Sequence, residues 1–89
     1  MAIQQVMRAL ADGTRREILE LLKQEPMTAS RIAENFSISA PAISRHLSNL
    51  KEAGLVRCRR EGNYLIYELS ASVLEEVILW AVRLKEETQ

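Results

Sequence analysis

The chain has 89 residues, 47% of them hydrophobic, with 12 basic side chains against 12 acidic ones. That length admits one small domain, whose core is marginal unless its packing is idealised or a partner subunit covers more apolar surface. A single cysteine excludes an internal disulfide framework, a single histidine leaves too few soft ligands for a four-coordinate metal site, and no apolar run nears the roughly 20 residues of a membrane span.

Ile3, Val6, Met7 and Leu10 recur at helical spacing before Ala11-Asp12-Gly13, which predicts a short first helix, apolar on one side, as a packing or dimer element. Asp12 is placed to cap a second helix that runs to about Glu25. Ile18, Leu19, Leu21 and Leu22 give it a broad apolar face, and Pro26 ends it. Thr28 caps a short third helix ending near Asn35, and Met27, just outside the cap, is placed to pack on Ile32 as a hydrophobic staple. Phe36, Ser37 and Ile38 then make a tight connection, so the third and fourth helices form a helix-turn-helix.

The fourth helix has both ends written into the sequence. Ser39 can accept from an unpaired N–H of the first turn, and Pro41 falls where its missing N–H costs nothing, so the helix starts near Ala40. Gly54 suits the left-handed residue past the end, with Leu55 placed to touch Leu50 as the apolar clasp of a Schellman motif, so the helix stops at about Ala53. Ile43, Leu47 and Leu50 form its core stripe, which leaves Pro41, Arg45, Ser48 and Glu52 facing away.

After Gly54 the pattern becomes extended. Leu55 to Arg60 and Tyr64 to Leu69 read as two strands around a Gly62-Asn63 turn, and a hairpin after a helix-turn-helix is a wing. The last helix starts after Ser70 and runs from about Ala71 toward Glu87. Val73, Val77, Trp80 and Leu84 form one apolar stripe and Leu74, Ile78 and Ala81 a second, with Leu79 and Val82 adding width. One face of a surface helix needs less than that, so the surplus predicts a dimer seam of Val73, Val77, Trp80 and Leu84, joined by Ile3, Met7 and Leu10 of the first helix. The whole, residues 1–89, reads as a single winged helix-turn-helix domain, mostly α with a small β-hairpin wing and with dimerisation helices at both ends. Its order is four helices, two strands and a final helix.

Charge is uneven along the chain. Residues 31–60 hold six basic side chains (Arg31, Arg45, Lys51, Arg57, Arg59 and Arg60) against Glu34 and Glu52, whereas residues 61–89 hold six glutamates against Arg83 and Lys85. The basic part therefore coincides with the fourth helix and the wing, which points to double-stranded DNA as the partner. The N-terminus lacks the basic-then-apolar pattern of a signal peptide, so a cytoplasmic protein without membrane insertion is expected.

Three stretches, Ala11-Asp12-Gly13-Thr14-Arg15-Arg16-Glu17-Ile18-Leu19, Ile43-Ser44-Arg45-His46-Leu47 and Glu52-Ala53-Gly54-Leu55-Val56, resemble the ArsR/SmtB family of winged-helix repressors. The resemblance spans almost the whole chain. Met27-Thr28-Ala29 and Ile43-Ser44-Arg45-His46-Leu47, with the short acidic last helix, are most similar to the SdpR-type autorepressor branch. The resemblance implies a homodimer, built through its first and last helices, that blocks a promoter until a signal lowers its affinity, and it leaves room for a sequestering partner protein. Metal sensors of the family usually carry a Cys-x-Cys motif in the third helix or a His and carboxylate cluster on the last. Here the third helix reads Thr28-Ala29-Ser30-Arg31-Ile32-Ala33 and the last has no histidine, so neither a metal nor another cofactor is expected.

Dimeric helix-turn-helix proteins deliver two recognition helices to successive major grooves of a pseudo-palindromic site. On that geometry Ser39, Ala40, Pro41, Ser44 and Arg45 form the groove-facing set, and the Arg45 guanidinium suits either guanine O6 and N7 or a phosphate. Arg59, Arg60 and Asn63 form a wing tip suited to phosphate contact or minor-groove entry. His46 has two readings, a phosphate contact or a bond to a local backbone group, and Thr28 can cap its helix or leave that helix end near a phosphate. Cys58 is either an exposed thiol among arginines or a small strand residue packed beside Val56. A winged-helix module that binds protein is the competing class. An enzyme is excluded for want of a nucleophile-and-base pair or a glycine-rich phosphate loop.

Overall fold

A computed structural model describes residues 3–86. Its elements are α1 (Ile3–Ala11), α2 (Gly13–Gln24), β1 (Met27–Thr28), α3 (Ala29–Ala33), α4 (Ala40–Glu52), β2 (Val56–Glu61), β3 (Tyr64–Leu69) and α5 (Ser72–Glu86). The expected order holds with one addition, the two-residue strand β1. The Glu87 end expected for the last helix lies outside the described residues.

Local chemistry explains the helix ends. Asp12 Oδ2 accepts from the Arg15 N–H at 3.0 Å, Thr28 Oγ1 from the Arg31 N–H at 3.2 Å, and Ser39 Oγ from the Ala42 N–H at 3.2 Å. Each cap of this kind contributes about 1 kcal/mol. At the far end of α4, Gly54 has φ +81°, the Leu55 N–H reaches the Leu50 carbonyl at 2.9 Å, and the Gly54 N–H reaches that of Lys51 at 3.0 Å. Those two bonds make a Schellman motif. The junction of α1 and α2 is closed from the other side. Arg15 donates to the carbonyls of Ala9 (2.8 Å) and Arg8 (2.9 Å), and Arg16 to that of Leu10 (2.7 Å). Two cations thus serve the otherwise unpaired carbonyls at the negative end of α1.

The sheet runs β1-β3-β2, all antiparallel, with Met27 opposite Tyr67 and Thr28 opposite Ile66. Met27 therefore belongs to a strand as well as standing before a helix cap, and it is buried in the core with Ile32. The wing register pairs Glu61 with Tyr64, which leaves a two-residue turn. Gly62 takes φ +64° and no non-glycine residue among the described ones has a positive φ, so glycine alone supplies the positive-φ position of a type II′ turn.

Ile18, Ile32, Ile43, Leu47, Leu50 and Leu55 are essentially inaccessible and bring α2, α3, α4 and the foot of the wing together. Each such burial contributes about 1.5–3 kcal/mol. Helix α5 contrasts with this core, for none of its residues is fully buried. Val73, Leu74 and Val77 rest half-buried against the core, while Trp80 (42% exposed), Leu84 (52%), Ile78 and Leu79 stand outside it. The expected seam is divided accordingly. Val73, Val77 and Leu10 pack partly on their own core, because the first turns of α5 run past the foot of the wing, and the exposed apolar surface lies further along the helix. Ile3 and Met7 are half-buried, and Ile3 lines a shallow groove with Glu76, Leu79, Trp80 and Arg83. The radius of gyration, 14.4 Å, exceeds the about 12 Å expected of a compact chain of this length.

Candidate nucleic-acid interface

Helix α4 buries Ile43, Leu47 and Leu50 and so turns the opposite face outward. Ser39, Ala40, Pro41, Ser44 and Arg45 are all exposed there. The Ser39 hydroxyl is engaged as the cap, whereas Ser44 makes no side-chain hydrogen bond among the described residues. Ser44 and Arg45 border a shallow surface groove with Ser48, Asn49 and Glu52. The salt bridges among the described residues do not involve Arg45, so its fork stands free for bidentate pairing.

His46 has neighbours within the protein. Its Nδ1 lies 3.4 Å from Arg15 Nη1 and 4.0 Å from Asp12 Oδ2, and its side chain is only 21% exposed. The ring points toward the α1–α2 junction, and it is side chains rather than a backbone group that meet it. The backbone N–H of Arg15 holds the Asp12 carboxyl below its usual pKa, with further lowering from the nearby Arg15 and His46 charges, against a small opposing effect of burial.

The wing is less basic than its sequence. Arg57 and Glu68 stand opposite each other in the ladder and pair at 3.7 Å, and Arg59 pairs with both Glu61 and Glu68. The Glu61 hydrogen bond raises the Arg59 pKa from its ordinary value, against a smaller opposing effect of desolvation and with further raising by the charges of Glu61 and Glu68. Arg59, expected at the tip, thus lies within β2 opposite Ile66 and holds two carboxylate partners in the wing itself. Arg60 projects from the other face of the strand and makes no ion pair among the described residues, and Asn63 is exposed in the turn. Thr28 is engaged as a cap at the start of a helix of only five residues.

Cys58 sits opposite Tyr67, half-buried, on the Val56 side of β2. Its neighbours Arg57 and Arg59 project from the opposite face, and of the three wing arginines Arg60 alone alternates to the Cys58 side, so most of the cationic setting expected of a reactive thiol faces away from it. Burial, followed by the adjacent Cys58, raises the Tyr67 pKa. Among the described residues no group of three or more His, Cys, Asp or Glu side chains could hold a metal ion, and no helix is long and apolar enough to cross a membrane.

Two contributors escaped the sequence reading. Glu68 neutralises two arginines, which follows once the turn is fixed at Gly62-Asn63 and the register paired. Arg15 joins α1 to α4. Its signal was a pair of cations just after a helix end, where the exposed carbonyls favour positive charge.

Comparison with known proteins gives this geometry a context. Residues 12–57 match the family described as "Bacterial regulatory protein, arsR family". The transcriptional repressor SdpR of Bacillus subtilis (strain 168) is 48% identical over 75 residues, covering 84% of this chain and 83% of that protein. An ArsR-like transcriptional regulator from a Rhodococcus species superposes with a TM-score of 0.87 at 32% identity, over 94% of this chain and 79% of the other. A homodimeric winged helix-turn-helix DNA-binding domain from Mycobacterium bovis, a possible ArsR-family regulator solved in solution, gives 0.76 at 33% identity, over 98% and 82% of the two chains.

Proposed function

The chain belongs to the arsR family of bacterial regulatory proteins, and from that premise we propose that it is a sequence-specific DNA-binding transcriptional repressor, acting as a homodimer on a pseudo-palindromic operator. It is a regulator and not an enzyme. The observation that carries the reading is the outer face of α4, capped at both ends, exposed along Pro41, Ser44 and Arg45, and free of internal ion pairs.

The N-terminal turn of α4 enters the major groove, with Arg45 forking onto a guanine edge and Ser39, Ala40, Pro41 and Ser44 supplying shape, methyl and hydroxyl contacts. Arg60 and Asn63 meet the backbone beside it. His46 and Arg59 leave the DNA-facing set because they already have partners in the protein, and Thr28 keeps its capping role. The second copy covers α1 and the exposed length of α5, as the apolar surface there requires. The repressor works in the cytoplasm, on a site that includes its own promoter, and a sequestering partner protein is one route to its release. The likeness to a named repressor and to a homodimeric DNA-binding domain supports this reading.

The test is binding to duplex from immediately upstream of its own gene against random duplex, titrated across salt, with oligomeric state measured in parallel. Tight dimeric binding that prefers the upstream fragment, with a steep salt slope, is the expected result. Equal weak binding to both sequences would favour a protein-binding module instead.

A further inference from the structure

One guanidinium joins the elements that the proposed function gives different tasks. Arg15, in the first turn of α2, donates through Nε to the Ala9 carbonyl (2.8 Å) and through Nη2 to the Arg8 carbonyl (2.9 Å), both in the last turn of α1. Its third nitrogen, Nη1, reaches His46 Nδ1 on α4 at 3.4 Å. The Arg15 backbone is in turn fixed by Asp12 Oδ2 (3.0 Å), which lies 4.0 Å from the same imidazole nitrogen. His46 directly follows Arg45, so the inward side chain and the outward one are successive residues of a single turn.

We propose that Arg15 is a positioning residue for operator reading, which acts through His46 to set the angle of α4 against α1. This rests on the reading of the chain as a dimeric operator-binding repressor. A residue that merely capped α1 would need only the two carbonyls, and the link to His46 adds nothing to such a cap. The planar fork of arginine can serve three acceptors in fixed directions, as a lysine ammonium cannot. The imidazole must present an unprotonated Nδ1 to receive Nη1, and the Asp12 carboxylate on its other side limits how the ring can turn. Because α1 belongs to the dimer element and α4 to the groove, their mutual angle determines where the second recognition helix lands. Half-site spacing is a geometric property of such dimers. A loosened link therefore appears as tolerance of wrong spacing before it appears as loss of contact within one half-site.

The experiment selects an operator from random duplex with the wild-type protein. It then measures wild type, Arg15→Met, Arg15→Lys, His46→Ala and the Arg15→Met/His46→Ala double variant on that site, on sites with the spacer changed by one and two base pairs, and on an isolated half-site. Unfolding midpoints are taken for each. In Arg15→Met and His46→Ala alike, the preference for correct spacing is expected to fall roughly five- to tenfold further than half-site affinity does, with the double variant no worse than the worse single one. Arg15→Lys should recover the unfolding midpoint but not the spacing preference. Should Arg15→Met fail to fold, His46→Ala, which removes only the α4 end of the link, decides the matter. Unchanged spacing preference in a folded His46→Ala variant, or single losses that multiply in the double, would overturn the inference alone. Failure of the wild type to select any site would overturn the repressor reading and the inference with it.

Discussion

Helix α4 and the wing of β2 and β3 each bring arginine to the proposed DNA surface, but they hold it differently. On α4, Arg45 stands alone on an exposed face, and the contacts that define the helix ends are made by residues within five positions of one another. In the wing, Arg57 and Arg59 are held by carboxylates across and along the ladder, and of its three arginines Arg60 alone lacks an ion pair among the described residues. Charge counted along a sequence is therefore a fair guide to the field over a helix face and a poor one over a hairpin, where the partner strand adds its own charges directly opposite.

The sharpest separation should come from core truncation. Leu47→Ala, at an inaccessible site on α4, is expected to cost about 2–5 kcal/mol, whereas Leu65→Ala, on the wing and 47% exposed, should cost less than about 1 kcal/mol. Urea unfolding measures both, and equal costs would mean that the wing is as integral to the core as the helix. Next in size is the division of DNA contacts. Arg45→Ala should lose about 1–3 kcal/mol on the operator and relax base preference locally, while Arg60→Ala should weaken all sequences alike and reduce the salt slope by about one. Binding isotherms on specific and random duplex decide between them, and identical losses on both would erase the distinction.

The two left-handed glycines extend the comparison to the backbone. Alanine at either position meets a strain of about 1–2 kcal/mol, but a Cβ at Gly54 would also stand 3.1 Å from Val73 Cγ1, whereas one at Gly62 would meet nothing within 4 Å. Gly54→Ala should thus lower the thermal midpoint more than Gly62→Ala. Removing the wing's internal neutraliser should act in the opposite sense to the arginine deletions. Glu68→Gln is expected to tighten random-duplex binding roughly two- to fivefold with a steeper salt slope, and to leave the unfolding midpoint nearly unchanged because its arginine partners are exposed and such pairs contribute little. The smallest effect concerns acid. The Asp12 pKa is lowered on folding, so its stabilisation is complete above the unfolded value of about 4 and is lost as pH falls through the folded value. The advantage of wild type over Asp12→Asn should therefore shrink below about pH 4 in unfolding titrations. The wing's Arg59, with its pKa raised, adds no acid limb of its own.

Most of the fold was legible because its punctuation is local. Asp12, Thr28 and Ser39 cap the helices that follow them, and Gly54 stops α4 with the expected Leu50–Leu55 clasp. The exposed face of α4 was legible to the same depth. The outer face of α4 followed from the Ile43, Leu47 and Leu50 stripe, since placing three residues inward places their neighbours outward. The intramolecular partners of His46 and Arg59 were less legible, because Arg15 and Glu68 lie 31 and nine positions away and share no pattern with them, although Glu61, the other partner of Arg59, is only two positions on. Strand β1 was missed for the same reason, as two residues carry no period and Met27 becomes a strand only opposite Tyr67.

A capping hydroxyl, a left-handed glycine and a 3.6-residue stripe act over one or two turns, so the order of residues alone determined the helices, the turn and the face that α4 offers. Folding decided which arginines keep an uncompensated charge, which half of α5 lies on its own core, and how α1 is tied to α4. Ion pairing and burial depend on what arrives from the far side of the chain, and the register and packing that bring it there exist only in the assembled structure.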